Sequence, residues 1–185
     1  MDIVYLQPLK ELLQVGTYFK EEIVILVSNE IQEKKAKQSG LIPCYLVSES
    51  TKEIQKLSGK CKAVLGGSIA ANEFAVKIKA DYLLQPCNTK QFFDVGLAQK
   101  LADAGTTTVM MLADLIVANS FERHQYWKNY IEVARYCMKK KAKFIVASGC
   151  SDPLHLRPGK VREALAMTLG LPQNLAKQYL EEKLE

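Results

Sequence analysis

Histidine is the scarcest chemistry-bearing residue here, with two in 185 positions, His124 and His155. Metal-dependent hydrolysis needs several His and carboxylate ligands converging on one ion. Neither histidine follows an apolar strand-like run, so a histidine-built metal centre is not expected. The five cysteines (Cys44, Cys61, Cys87, Cys137, Cys150) are odd in number and scattered, with no CxxC pair. That pattern predicts free thiols rather than a disulfide framework or a zinc site. No strand-like run holds an interior lysine that could form a Schiff base. Neither GxxxxGK[ST] nor GxGxxG occurs. No apolar run approaches the length of a membrane span, and the start, MDIVYLQPLKELL, has no signal-peptide h-region. The expected location is the cytoplasm.

What is present is ordinary in amount and informative in arrangement. Apolar residues make up 48% and charged residues 24%, the balance of a globular chain, and the length suits one domain spanning 1–185. The net charge of +5 is unevenly placed: residues 51–150 carry 15 Lys/Arg against 8 Asp/Glu, while residues 1–50 carry 5 against 7. A basic middle permits a nucleic-acid partner.

Short β-branched runs alternate with amphipathic stretches. Ile23 to Val27 (IVILV) is continuously apolar, as in a strand buried on both faces. Further strands are expected at Ile3 to Leu6, Ile42 to Val47, Lys62 to Leu65, Asp81 to Gln85, Thr107 to Leu112 and Lys143 to Ala147. Helices are expected at Pro8 to Phe19, Glu30 to Gln38, Ser48 to Leu57, Ile69 to Lys79, Gln91 to Ala104 and Glu122 to Lys141, and two more close the chain. About seven βα units with short loops predict a parallel sheet. An α/β fold, an irregular (β/α) TIM-like barrel of about seven strands, is the first expectation. An open doubly wound sheet is the second.

Sites in such folds sit at the C-terminal strand ends. Here those positions hold Ser28-Asn29-Glu30, Ser48-Glu49, Gly66-Gly67-Ser68, Gln85-Pro86-Cys87, Ala113-Asp114 and Ser148 to Asp152. Cys150 is placed like a nucleophile, but no histidine stands at another strand end to activate it. The inventory leans against a self-sufficient active site. Two basic clusters point instead to an anion. Arg157, Lys160 and Arg162 crowd a helix start, where unpaired N–H groups already favour negative charge, and Ser148 lies in the loop before them. A phosphate backbone would satisfy these cations. On the long helix, Arg123, Lys128 and Arg135 form the better-placed side for RNA. Catalytic and metal-binding residues are expected to be absent.

The closing pattern runs from a strand into Ala147-Ser148-Gly149-Cys150, through Leu156-Arg157-Pro158, into a helix Val161 to Leu169 and Gly170-Leu171-Pro172. Upstream stand Ala80-Asp81-Tyr82-Leu83-Leu84-Gln85-Pro86, Phe93-Asp94, Leu97 to Ala102 and Arg123. This order resembles archaeal ribonuclease P protein component 3, the counterpart of the thirty-kilodalton eukaryal subunit, over roughly residues 60 to 172. Cys150, in place of a small residue, and Met110-Met111, in place of a Glu-Ile pair, depart from it. The resemblance implies a barrel related to metal-dependent phosphoesterases but without their metal ligands. It also implies a non-catalytic subunit of the ribonucleoprotein that removes the 5′ leader of precursor tRNA. The RNA would perform the hydrolysis with its own Mg2+, and this chain, binding no cofactor, would act on the catalytic RNA together with protein component 2. The alternative is a stand-alone β/α-barrel phosphoesterase or lyase.

Overall fold

A computed structural model describes residues 1–5, 9–19, 21–51 and 54–181. Seven strands form one sheet in chain order: β1 (Asp2–Val4), β2 (Ile23–Val27), β3 (Ile42–Val47), β4 (Lys62–Leu65), β5 (Tyr82–Leu84), β6 (Thr107–Met111) and β7 (Phe144–Ala147). Every neighbouring pair is parallel. The helices are α1 (Leu9–Phe19), α2 (Glu30–Gln38), α3 (Ile69–Lys77), α4 (Val95–Ala104), α5 (Leu112–Val117), α6 (Ser120–Lys140), α7 (Gly159–Thr168) and α8 (Gln173–Glu181).

Strict chain order across the sheet already separates this topology from a doubly wound one, which reverses at a switch point. Closure completes the distinction. Just past the ends of the outer strands, Gly149 N donates to Ile3 O at 2.9 Å and Tyr5 N to Cys150 O at 3.1 Å. The first and last strands therefore meet, and the sheet is a nearly closed barrel.

The period-two alternation of strands then sorts the side chains. One set faces the interior: Ile3, Val24, Leu26, Cys44, Ala63, Tyr82, Leu84, Val109, Met111, Ile145 and Ala147. The other set, including Val4, Ile25, Val47, Val64, Leu83, Met110 and Val146, packs beneath the helices. This is why IVILV has no polar position: both faces of β2 are covered. Small Ala63 and Cys44 in the same interior cluster leave room for the Tyr82 ring, so the barrel is a packed core and not a pore.

Three expectations need correction. Cys44 and Cys61 are joined as a disulfide, with Cα atoms 4.7 Å apart. The β3–β4 register, Tyr45 opposite Lys62, sets them side by side. Their 17-residue separation carries no motif that could have announced it, while Cys87, Cys137 and Cys150 are free and buried. Of the expected helix from Ser48 to Leu57, the described residues hold a 3-10 turn at Ile54–Leu57. Ser48 Oγ is bonded to Ser50 Oγ at 2.9 Å, and Ser48 N donates to Thr51 Oγ1 at 2.8 Å, local bonds that compete with a helix. The helix expected from Gln91 starts at Val95, because Asp94 caps it through Leu97 N at 2.7 Å. Short α5 had no separate expectation. Pro8, expected to start α1, lies outside the described residues. Among the described residues no helix is long and apolar enough to cross a membrane.

Candidate nucleic-acid interface

The closing loop and the start of α7 form one buried polar staple across the barrel seam. Asp2 is fully buried at the first strand position. Its Oδ1 accepts from Ile3 N and Ser148 N, each at 2.8 Å, and its Oδ2 accepts from Ser148 Oγ at 2.5 Å. Ser148 Oγ in turn accepts from Arg157 N at 2.9 Å. Gly149 completes the turn at φ +60°, and a Cβ there would overlap the Met111 side chain.

Arg162 is the largest fully buried side chain. Its Nη1 donates to Met1 O at 2.7 Å and lies 3.5 Å from Asp2 Oδ1, its Nε donates to Arg157 O at 3.1 Å, and its Nη2 pairs with Glu21 Oε2. Glu21 Oε1 also accepts from Gly159 N at the start of α7. The cation at this helix start is therefore balanced by carboxylates from β1 and from the segment before β2. This corrects the expectation for two residues. Arg162 and Ser148 are 0% and 1% exposed and hold the seam together, so neither presents a group to RNA in this fold. A buried guanidinium must satisfy its donors internally.

The other five cations are at the surface, on two separate elements. Lys160 is exposed and Arg157 half-buried. Beside them opens a cleft of about 570 Å³ lined by Glu21, Glu22, Glu163 and Glu181 as well as Lys160 and Lys177, so its charge is mixed. Lys128 and Arg135 are exposed on α6, and Arg135 pairs with Glu132 one turn back. Arg123, also exposed, is committed to the preceding helix: Nε donates to Leu115 O at 2.8 Å and Nη2 to Ala118 O at 2.9 Å, capping the carbonyl end of α5. α6 packs on α4 and α5, whereas α7 packs on α8 and β7. The expected cations thus lie on α6 and around the start of α7, and these two helices pack on different neighbours.

The barrel mouth holds a different kind of site. A pocket of about 230 Å³ is lined by Leu65, Gly66, Gly67, Gln85, Cys87, Asn88, Asp114 and Tyr126. Its walls are braced. Asn72 Nδ2 donates to Pro86 O at 2.8 Å and Phe92 O at 3.1 Å, and Asn129 Nδ2 donates to Asn88 O at 2.7 Å. Burial pushes the Asp114 carboxyl up to about 6 and the Cys87 thiol up to about 12, so Cys87 is an unactivated thiol. Among the described residues no group of three or more His, Cys, Asp or Glu could hold a metal ion. Strand-end position marked Gly66, Gln85, Cys87 and Asp114 in the sequence. Asn88 and Tyr126 carried no such signal, because a loop and a distant helix deliver them.

No family model matches the sequence, and no curated protein matches it. Solved structures do match. A chain in the cryo-EM structure of archaeal ribonuclease P with mature tRNA superposes with a TM-score of 0.77 at 16% identity, covering 96% of this chain and 87% of that one. An uncharacterised protein superposes with a TM-score of 0.52 at 10% identity, over 94% of this chain and 46% of its own length. These likenesses are likenesses of fold.

Proposed function

We propose that this chain is a protein subunit of ribonuclease P, which removes the 5′ leader from precursor tRNA, and that it contacts the catalytic RNA alongside a companion of the protein component 2 type. The observation that carries this reading is the near full-length superposition on a chain of archaeal ribonuclease P, at a TM-score of 0.77. The closing Leu156-Arg157-Pro158 and Gly170-Leu171-Pro172 pattern adds to it. The chemistry of the mouth is consistent: Asp114 stands without a histidine or cation among the pocket residues, and the nearest thiol is held protonated by burial. In this role the chain binds no cofactor of its own, and Mg2+ belongs to the RNA.

The surface cations Lys128, Arg135, Arg157 and Lys160 neutralise phosphates, a mode of binding that releases counterions and weakens with salt. The test is reconstitution of precursor-tRNA cleavage from the catalytic RNA and the companion proteins, with and without this chain, at low magnesium. Cleavage should rise when the chain is added. Unchanged cleavage in its presence would sink the proposal.

A further inference from the structure

The mouth pocket is built for a ligand, and the chemistry of its lining selects one. Unsatisfied buried polar groups are rare in folded proteins and each calls for an explanation; here two lie behind residues that line one small cavity. Tyr130 is 2% exposed and its hydroxyl has no hydrogen-bond partner. It lies near Cys87, Asp114 and Tyr126. Asn72 is 1% exposed and its Oδ1 is likewise unpaired. It abuts Gly66, where an added Cβ would overlap it. The Asp114 carboxyl and the Tyr126 hydroxyl also make no hydrogen bond among the described residues. The loops around them do not collapse onto these groups. Gly67, at φ +86°, accepts from Asn88 Nδ2 at 3.3 Å, and Gln85 is held at φ +50°.

The pocket contains no Lys or Arg and one carboxylate, so it disfavours phosphate. Its volume of about 230 Å³ falls below the ~300–1,000 Å³ typical of sites for drug-sized ligands, which leaves room for a ring-sized group. A carboxylate accepts at both oxygens, an amide offers donor and acceptor, and a phenol ring offers a stacking face. This is the equipment used on the edges and faces of unpaired bases.

We propose that the pocket between Gly66-Gly67 and Asp114 binds one unpaired nucleobase that carries an amino group, with the Asp114 carboxylate accepting its N–H groups and Tyr126 stacking on its ring. That the base is presented by an RNA rests on the role proposed above; the recognition chemistry is the same for a free nucleoside.

The experiment is NMR titration of the full chain, well above the Asp114 midpoint, with guanosine, adenosine, uridine and inorganic phosphate, and then with short single strands rich in G and A or in U. Amide signals of Gly66, Gly67 and Asn88 should move saturably with the amino-bearing bases. If nucleosides act alone, the source is a free base; if only the strands act, the source is RNA. Asp114→Asn should weaken this binding by about tenfold or more, the value of a charge-assisted hydrogen bond. Tyr126→Leu should weaken it independently, with both variants melting as cooperatively as the parent. The proposal is overturned if no nucleoside or strand moves these signals, if uridine or phosphate binds equally well, or if Asp114→Asn binds like the parent. These outcomes are read on the isolated chain and leave the reconstitution test separate.

Discussion

Two residues of the same charge type, two positions apart on the same helix, have opposite roles. Lys160 is exposed while Arg162 is enclosed by Met1, Asp2, Glu21 and Arg157. Removing one member of a buried ionic cluster leaves the others desolvated and unpaired, which costs about 3–5 kcal/mol. Arg162→Met should therefore lower the urea midpoint severely, whereas Lys160→Ala should change stability by no more than about 0.5 kcal/mol. Equal midpoints for the two variants would contradict the staple. Asp114 makes a pH-dependent prediction. Its carboxyl is raised to about 6 by burial, and its titratable neighbours, Tyr5 after β1 and Tyr126 and Tyr130 on α6, are neutral phenols. The folded state holds that proton more tightly than the unfolded chain, where an aspartate titrates near ~3.9. Stability associated with it is complete below the unfolded value and declines as pH rises through about 6. Asp114→Asn should thus be more stable than the parent at neutral pH and equal to it under acid, as read from urea midpoints across that range.

At the scale of elements, caps and cross-links set the boundaries that periodicity leaves vague. The longest helix, α6, begins in a capping box: Asn119 Oδ1 accepts from Glu122 N at 3.0 Å, and Glu122 Oε2 accepts from Asn119 N at 3.3 Å. Asn119→Ala should cost about 1 kcal/mol in thermal unfolding, with the helical content of the folded state unchanged. β3 and β4 carry the cystine Cys44–Cys61, which closes a separation of 17 residues. Loop-closure entropy assigns about 3 kcal/mol to a cross-link of this span. Reduction, or Cys61→Ser, should lower the melting temperature by several degrees, and an unchanged melt would show that the two thiols contribute only as packed neighbours. The alternation of strand and helix was legible from runs such as IVILV. The failure at Ser48 to Leu57 was local: hydroxyl bonds among Ser48, Ser50 and Thr51 replaced the expected helical turn.

For the whole molecule, the net charge of +5 bears on association and not on the fold. The cations that remain accessible are distributed over α6 and the start of α7, so in the role proposed above RNA affinity should be the sum of separate phosphate contacts. Replacing Lys128 and Arg135 by alanine should weaken binding across RNA sequences alike and flatten the log K against log salt slope by roughly 1–2. Binding of parental strength and salt dependence in the double variant would remove the α6 face from the interface. The same substitutions leave the core untouched and should not move the melting temperature. Barrel closure, in turn, depends on contacts 146 residues apart, Ser148 with Asp2, so a fault at the seam should lower the stability of the barrel as a unit.

The sequence by itself determined the parallel βα order, the strand cores and the strand-end positions of Gly66, Gln85 and Asp114, because hydrophobic period and chain order are local properties. It also carried the closing pattern that resembles a ribonuclease P protein. Only the tertiary structure decided which cations face solvent, which cysteines meet and which polar groups are stranded at the mouth. Those outcomes depend on what lies across the barrel from each residue. The pairing of Arg162 with Glu21 spans 141 residues, and the charge pattern around position 162 contains no trace of it.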